Sequence, residues 1–298
     1  MKKALFLGIT GSFFFAFTFV FNRSMNLGGG YFLWSAVLRY LFTLPILALL
    51  LCKGGRQRPI LEEIRKNPLP WFVWSTVGFG LFYAPLTAAS VYAESWFTAS
   101  VWQFTIVAGV LLTPLFGKKI PVRNLLWSAV ILAGILLMQS SHLAEGISKS
   151  FLAALLMIVI AAFSYPLGNR KIMQVTGGSF STLQRVFGMT LCSMPFWLVC
   201  GVCSFAKAGL PSSSQCLQSV CVALFSGVIA TLLFFKATDL VKDNARHLAV
   251  IEATQSGEVV FTLLLGILVL KDALPGPAAM AGIALIVCGM IANSLSAG

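Results

Sequence analysis

The sequence predicts an all-α membrane protein of ten transmembrane helices, arranged as two inverted five-helix repeats with both termini cytoplasmic. Three observations carry this. Hydrophobic residues make up 58% of the 298 positions and charged residues only 10%, where a soluble domain holds about 25% charged residues. Ten apolar stretches run through the chain, and about 20 apolar residues are enough for a helix to cross a bilayer. The lysines and arginines between the stretches fall almost entirely on alternate connections.

In chain order the expected spans are 4–21, 31–51, 69–92, 95–116, 124–139, 151–167, 181–205, 216–235, 247–270 and 277–293. The first follows Met1-Lys2-Lys3, as a signal peptide would. It lacks a small-residue cleavage site and nine spans follow it, so it reads as an uncleaved helix. A Gly28-Gly29-Gly30 turn opens the second span, and the basic stretch 53–67 separates the second from the third. The polar linker 141–150 divides a first repeat, residues 1–140, from a second, residues 151–298. These spans leave no room for a separate soluble domain of ordinary size.

Orientation follows from lysine and arginine alone. With the N-terminus inside, 15 basic residues lie on inner connections and 4 on outer ones (Arg23, Lys149, Lys207, Lys271), leaving Arg39 and Arg185 within spans. The same topology signals account for the net charge of +12. They belong beside anionic lipid and do not indicate nucleic-acid binding. Cys200 and Cys203 have C-x-x-C spacing, with Cys216 and Cys221 at the same outer end. A metal site or disulfide there competes with the simpler reading of small apolar side chains, and no His has metal-ligand spacing to them.

The two halves echo one another. Phe21-Asn22-Arg23, Gly28-Gly29-Gly30, Arg39 and Pro45 in the first correspond to Gly168-Asn169-Arg170, Gly177-Gly178, Arg185 and Pro195 in the second. Gln103 and Gln255 occupy the middles of the fourth and ninth spans, and Lys118-Lys119-Ile120-Pro121 matches Lys271-Asp272-Ala273-Leu274-Pro275. Five spans per half force the second half to enter from the opposite face. Inverted repeats of this kind are a hallmark of secondary transporters, whose halves rock about a midplane site.

On these residues the chain resembles the drug/metabolite transporter superfamily and most closely its ten-helix EamA-type exporters. The run Glu252-Ala253-Thr254-Gln255-Ser256-Gly257-Glu258 is similar to the multidrug-efflux branch. The resemblance covers essentially the whole chain. It implies that spans one to four and six to nine surround a central cavity, with spans five and ten at the periphery. The small four-helix members carry a coupling Glu in the first helix, whereas here neither the first nor the sixth span holds an acidic residue.

Charges at membrane depth are costly and usually face a cavity or a partner. Four lie clearly within spans: Arg39, Arg185, Glu252 and Glu258. At 1.5 Å per residue, Arg39 sits about 12 Å below the outer end of its helix, and Arg185 about 6–8 Å above the inner end of its own. Glu252 is about 8 Å and Glu258 about 17 Å from the inner end, which puts Glu258 near the midplane. The arginines either pair with these carboxylates to fix packing or line a cavity. A midplane carboxylate suits a group that loads and releases a proton in each cycle, so Glu258 and then Glu252 are the candidate proton-coupling residues. Gln255 and Thr262 share the Glu258 helix, while Gln103, Trp102 and Tyr83 come from the fourth and third spans. Aromatic rings beside carboxylates suit an organic cation and equally an aromatic amino acid.

The chain has no G-x-x-x-x-G-K-[ST] loop, no H-E-x-x-H and no G-x-S-x-G, so neither ATP-driven transport nor an intramembrane enzyme is indicated. The expectation is a gradient-driven, proton-coupled exporter in a bacterial cytoplasmic membrane. Its cargo would be small organic molecules: hydrophobic or cationic drugs, amino acids or related metabolites. A lipid-linked substrate flippase or an uncoupled conduit is the alternative. Its partners would be substrate, protons and membrane lipids, with no cofactor and no nucleic acid, in a monomer or homodimer.

Overall fold

A computed structural model describes residues 1–52, 55–117, 119–120, 122–138, 148–241 and 244–297. Among them every element is helical. The helices are α1 (Lys2–Leu27), α2 (Phe32–Cys52), α3 (Arg58–Lys66), α4 (Pro68–Tyr92), α5 (Ser95–Leu111), α6 (Val122–Met138), α7 (Lys149–Val175), α8 (Thr182–Ala208) and α9 (Ser213–Asp239). They continue with α10, built of Ala245–Ala253, a 3-10 turn Thr254–Ser256, Gly257–Leu265 and a π-helical end Gly266–Leu270, and with α11 (Pro277–Ala297). Most of the predicted linker 141–150 lies outside the described residues.

Eight of these helices are long and apolar enough to cross a bilayer: α1, α2, α4, α7, α8, α9, α10 and α11. The apolar helices of α5 (Ser95–Leu111) and α6 (Leu125–Met138) are shorter. Seventeen residues in α5 rise about 25 Å, less than the roughly 30 Å hydrocarbon core. α5 breaks stride at Gln103, and after Leu112 the chain tightens into a 3-10 turn, Thr113–Phe116. This is a multi-pass membrane protein: eight of the ten expected spans are long apolar helices, and the fourth and fifth are shorter ones.

Helix ends also differ from expectation. α1 and α7 run past Asn22-Arg23 and Asn169-Arg170, which lie within helix, and stop only where Gly29 (φ 79°), Gly177 (φ 55°) and Gly178 (φ 75°) take left-handed backbone. Part of the expected basic loop forms α3, whose Ile60 is fully buried near Trp71 at the foot of α4. α8 starts with a capping box, Ser181 with Gln184, and Gln184 Nε2 reaches across to donate to the Arg56 carbonyl at 2.9 Å.

Packing runs largely between the two halves. α1 lies against α9 and α10, α7 against α4 and α5, α2 against α8, and α6 against α11. Small residues set the closest approaches. A Cβ on Gly168 would collide with the Gly78 backbone, so α7 and α4 touch main chain to main chain. A Cβ on Gly282 would meet the Gly134 carbonyl at 2.5 Å, which shows that the small-residue face of α11 joins α6. Small residues drive such contacts in lipid, where apolar burial between helices gains little. The phenylalanines of α1 fill the seam with α9 and α10: Phe17 stands 5.1 Å from Phe225, and Phe13 5.5 Å from Phe261, ring centre to ring centre.

Overpacking a tight contact costs about 1–3 kcal/mol or more. Gly168→Leu is therefore expected to lower the thermal unfolding midpoint of the purified protein by several degrees, whereas Gly276→Ala, with open space around it, leaves it unchanged. Equal melting of the two variants would contradict the close α4–α7 approach.

Candidate functional site

Both helices that bear the central carboxylate and its partner are interrupted at that level. α5 changes pitch at Gln103, between Ser95–Trp102 and Phe104–Leu111. α10 passes through its 3-10 turn at Thr254–Ser256, so that Glu258 falls in the first turn of the segment Gly257–Leu265. The breaks bring the side chains together. The buried Gln103 amide hydrogen-bonds the Glu258 carboxylate and donates its Nε2 to the Ala99 carbonyl at 3.1 Å.

Arg39 approaches from α2. Its guanidinium carbon stands 4.1 Å from the Tyr83 ring centre and 6.0 Å from that of Tyr40, a cation–π arrangement that stabilises a partly desolvated charge. Its Nη1 reaches Thr18 Oγ1 at 3.5 Å, and that hydroxyl donates to Ser226 Oγ at 2.6 Å. The Tyr83 hydroxyl pairs with the Asn22 side-chain amide at 3.1–3.2 Å. One arginine thus ties together α1, α2, α4 and α9. Behind it Tyr40 stacks on Trp197 of α8 at 4.5 Å.

Tyr165 of α7 completes the group. Its ring centre lies 4.9 Å from Phe82 and 5.7 Å from Trp102, yet 40% of the residue stays accessible. It stands within electrostatic reach of Glu258, Arg39 and Arg185. Arg39 and Glu258, themselves within electrostatic reach, also keep accessible surface deep among the helices. Accessible side chains with protein crowded around them mark a recess inside the bundle. Its walls are Phe82, Trp102 and Tyr165, and its charged groups are Arg39 and Glu258.

Hydrogen bonds tie the helices together at the end that holds the α1–α2 and α4–α5 connections. There Arg23 Nη1 donates to the Ser90 carbonyl at 3.2 Å, Asn26 Nδ2 to Ser90 Oγ at 2.5 Å, and Gln215 Nε2 to the Tyr31 carbonyl at 2.9 Å. The Asp272 carboxylate accepts from both Ser95 N (3.2 Å) and Ser95 Oγ (2.6 Å), capping α5 from the far end of α10.

Of the residues the sequence singled out, Glu258, Gln103, Arg39, Tyr83 and Trp102 come together. Thr262 is buried one turn beyond Glu258, and its hydroxyl has no partner among the described residues. Arg185 stands in the first turns of α8, bonded through Nη2 to Thr182 Oγ1 at 3.2 Å, and faces the group only through Tyr165. Glu252 and Gln255 are exposed on α10, outside the hydrogen-bonded group. Arg39 and Arg185 meet rings and hydroxyls. Cys200, Cys203, Cys216 and Cys221 carry free thiols. Sequence reasoning missed Tyr165, Phe82 and Thr18. Tyr165 did have a signal, since it precedes a mid-helix proline, Pro166, and lies one turn before the singled-out Asn169.

Removing one partner of a buried hydrogen bond costs about 1–3 kcal/mol, whereas replacing both by apolar groups is nearly neutral. Tyr83→Phe is accordingly expected to destabilise the purified protein, and adding Asn22→Leu to recover most of the loss. Additive losses in thermal melts of the single and double variants would refute a direct Asn22–Tyr83 bond.

A family described as "EmrE: Putative multidrug resistance efflux transporter" matches residues 2–298. The uncharacterized protein YjlA of Bacillus subtilis (strain 168) is 48% identical, covering 99% of this chain and 95% of the relative. An uncharacterized 42.1 kDa protein of Shouchella clausii, from the 3′ region of an intracellular alkaline protease, is 47% identical over 87% of this chain and 70% of its own. A crystal structure of a protein 19% identical superposes with a TM-score of 0.64 over 100% of this chain and 98% of its own, a likeness of fold alone.

Proposed function

The chain belongs to the multidrug resistance efflux transporter family, and on that premise we propose that it is a proton-coupled exporter of small organic molecules working by alternating access. Glu258 is the coupling carboxylate, and the observation that carries this reading is its position. It lies deep in the bundle, where two helices break, held by Gln103 and facing Arg39 and Tyr165. Broken helices at membrane depth are a recurring setting for transporter sites. Phe82, Trp102, Tyr83 and Tyr165 offer apolar and π surface, and the two charges offer a place for an ionisable group. The substrates this suits are compact organic molecules with an aromatic or apolar body, including hydrophobic or cationic drugs and amino acids.

The ten apolar helices are read as ten spans in two inverted repeats, with both termini cytoplasmic in a bacterial cytoplasmic membrane. Reciprocal packing supports this. α1 meets α9 and α10 as α7 meets α4 and α5, while α2–α8, α6–α11 and α5–α10 pair helices of equal rank in each half. The irregular segments correspond as well: π-helical Thr76–Gly80 in α4 and Ala223–Ala230 in α9, and the interruptions at Gln103 and Thr254–Ser256. A cysteine at residue 145 should react with a membrane-impermeant reagent from outside, and one at residue 56 only from the cytoplasm. The opposite pattern would overturn both orientation and inversion.

Glu258→Gln keeps shape and hydrogen bonding but removes the titrating proton. In proteoliposomes it should abolish efflux driven by a pH gradient while leaving substrate exchange measurable, and Glu252→Gln should be milder. Wild-type gradient-driven efflux by Glu258→Gln would rule the carboxylate out.

A further inference from the structure

We propose that the groove between the ends of α5 and α7 binds the headgroup of an anionic phospholipid. This rests on the membrane-transporter reading only in placing that end at a lipid–water interface. The groove has a volume of about 410 Å³ and is lined by Thr113, Phe116, Arg170, Met173 and Gln174. It lies away from the recess of Arg39 and Glu258, which none of these residues lines.

Two cations converge there. The Arg170 guanidinium carbon is 5.7 Å from the Phe116 ring centre, and Lys171 Nζ is 5.1 Å from the same ring and 5.7 Å from that of Trp74. Arg170 is held in place, with Nη1 donating to the Gly109 carbonyl at 2.6 Å. That bond uses one of five guanidinium donors and leaves others to meet a phosphate, the geometry Arg recognises best. No carboxylate lines the groove among the described residues, so two like charges share one ring and an anion between them relieves their repulsion. Thr113 and Gln174 add neutral polar groups.

The apolar surroundings select the source of the phosphate. Met173 in the groove is 48% exposed, and Leu115, next to Phe116 in the chain, is 63% exposed, a surface that acyl chains cover and a free anion does not. The bound lipid would also reinforce a functional seam. The Arg170–Gly109 bond joins α7, which carries Tyr165, to α5, which carries Gln103, so occupancy of the groove steadies two walls of the recess.

The test uses the full-length protein in neutral detergent, titrated separately with phosphatidylglycerol, phosphatidylcholine and inorganic phosphate. Thermal unfolding and native mass spectrometry are the readouts. Phosphatidylglycerol should raise the unfolding midpoint and remain bound, and phosphatidylcholine should do neither. Each cation removed should weaken phosphatidylglycerol binding about fivefold, both in Lys171→Gln, which keeps the Arg170–Gly109 bond, and further in Arg170→Gln/Lys171→Gln. Lys2→Gln/Lys3→Gln, equal in charge lost but elsewhere, should bind as wild type. An equal response to phosphatidylcholine, or unchanged binding by Lys171→Gln, overturns the proposal. Stabilisation by inorganic phosphate equal to that by the lipid makes the groove a free-anion site and overturns it too. None of these measurements reads transport, so loss of transport with intact lipid binding counts against the exporter reading alone.

Discussion

Arg39 laid over the face of Tyr83 is the contact on which the interior is organised. A guanidinium far from bulk water is tolerable only if its charge is met from several directions. Here the answers come from four helices: the Tyr83 ring on α4, Tyr40 beside it on α2, Thr18 on α1 and, through that hydroxyl, Ser226 on α9. The demand for partners fixes where those helices meet. Tyr83 in turn holds Asn22, so the last turns of α1 stay helical well beyond the apolar run that defines it. On the other side of the recess, Glu258 is met by Gln103 because both of their helices depart from regular α geometry at that level.

Close main-chain approach is the complementary constraint. Lipid tails are as apolar as leucine, so membrane helices gain little by burying large side chains against each other and gain more by fitting closely. Gly78 on Gly168 brings α4 and α7 together where Phe82 and Tyr165 form a wall of the recess. Gly134 on Gly282 locks α6 and α11 into a pair whose main contacts are with each other, to one side of the rest. The resemblance had placed the fifth and tenth spans at the periphery, and their mutual packing agrees with that.

The helical fold was readable because apolar runs in a chain with so few charges allow little else, and eight of the ten predicted stretches are helices long and apolar enough to cross a membrane. The errors lie where local chemistry departs from composition. α3 escaped because a nine-residue helix of mixed polarity shows its single buried face, Ile60, only once α4 and α8 are in place. α5 read as a full span because Gln103 is a helix former by propensity with no breaker beside it, and because the apolar run carries on past Leu112 through Pro114, the residue at which the helix gives way to a 3-10 turn. Within the site, charge was the legible signal: Arg39, Glu258 and Gln103 were singled out because polarity at depth is costly. Tyr165 was not, since a tyrosine in a membrane helix is ordinary until its neighbours are known. Glu252 enters for its charge within a span and Gln255 for sharing the Glu258 helix, but the 3-10 turn Thr254–Ser256 interrupts that helix and both side chains are exposed.

The two ends of the bundle are unequal in a way that bears on the transport cycle. Symmetric halves would make the states open to either side nearly equal in energy, since each half adopts the other's conformation. Asp272 breaks that equality. It caps α5 by accepting from Ser95 N and Oγ, a cap of the kind worth about 0.5–2 kcal/mol. The matching turn in the first half carries Lys119, which has no acceptor oxygens and so cannot return the favour to the start of α10. The structure is accordingly fastened at the Asp272 end, together with the Arg23–Ser90 and Asn26–Ser90 bonds. Under the proposed orientation and export cycle, that end is the outer one, and opening outward has to break the Ser95 cap.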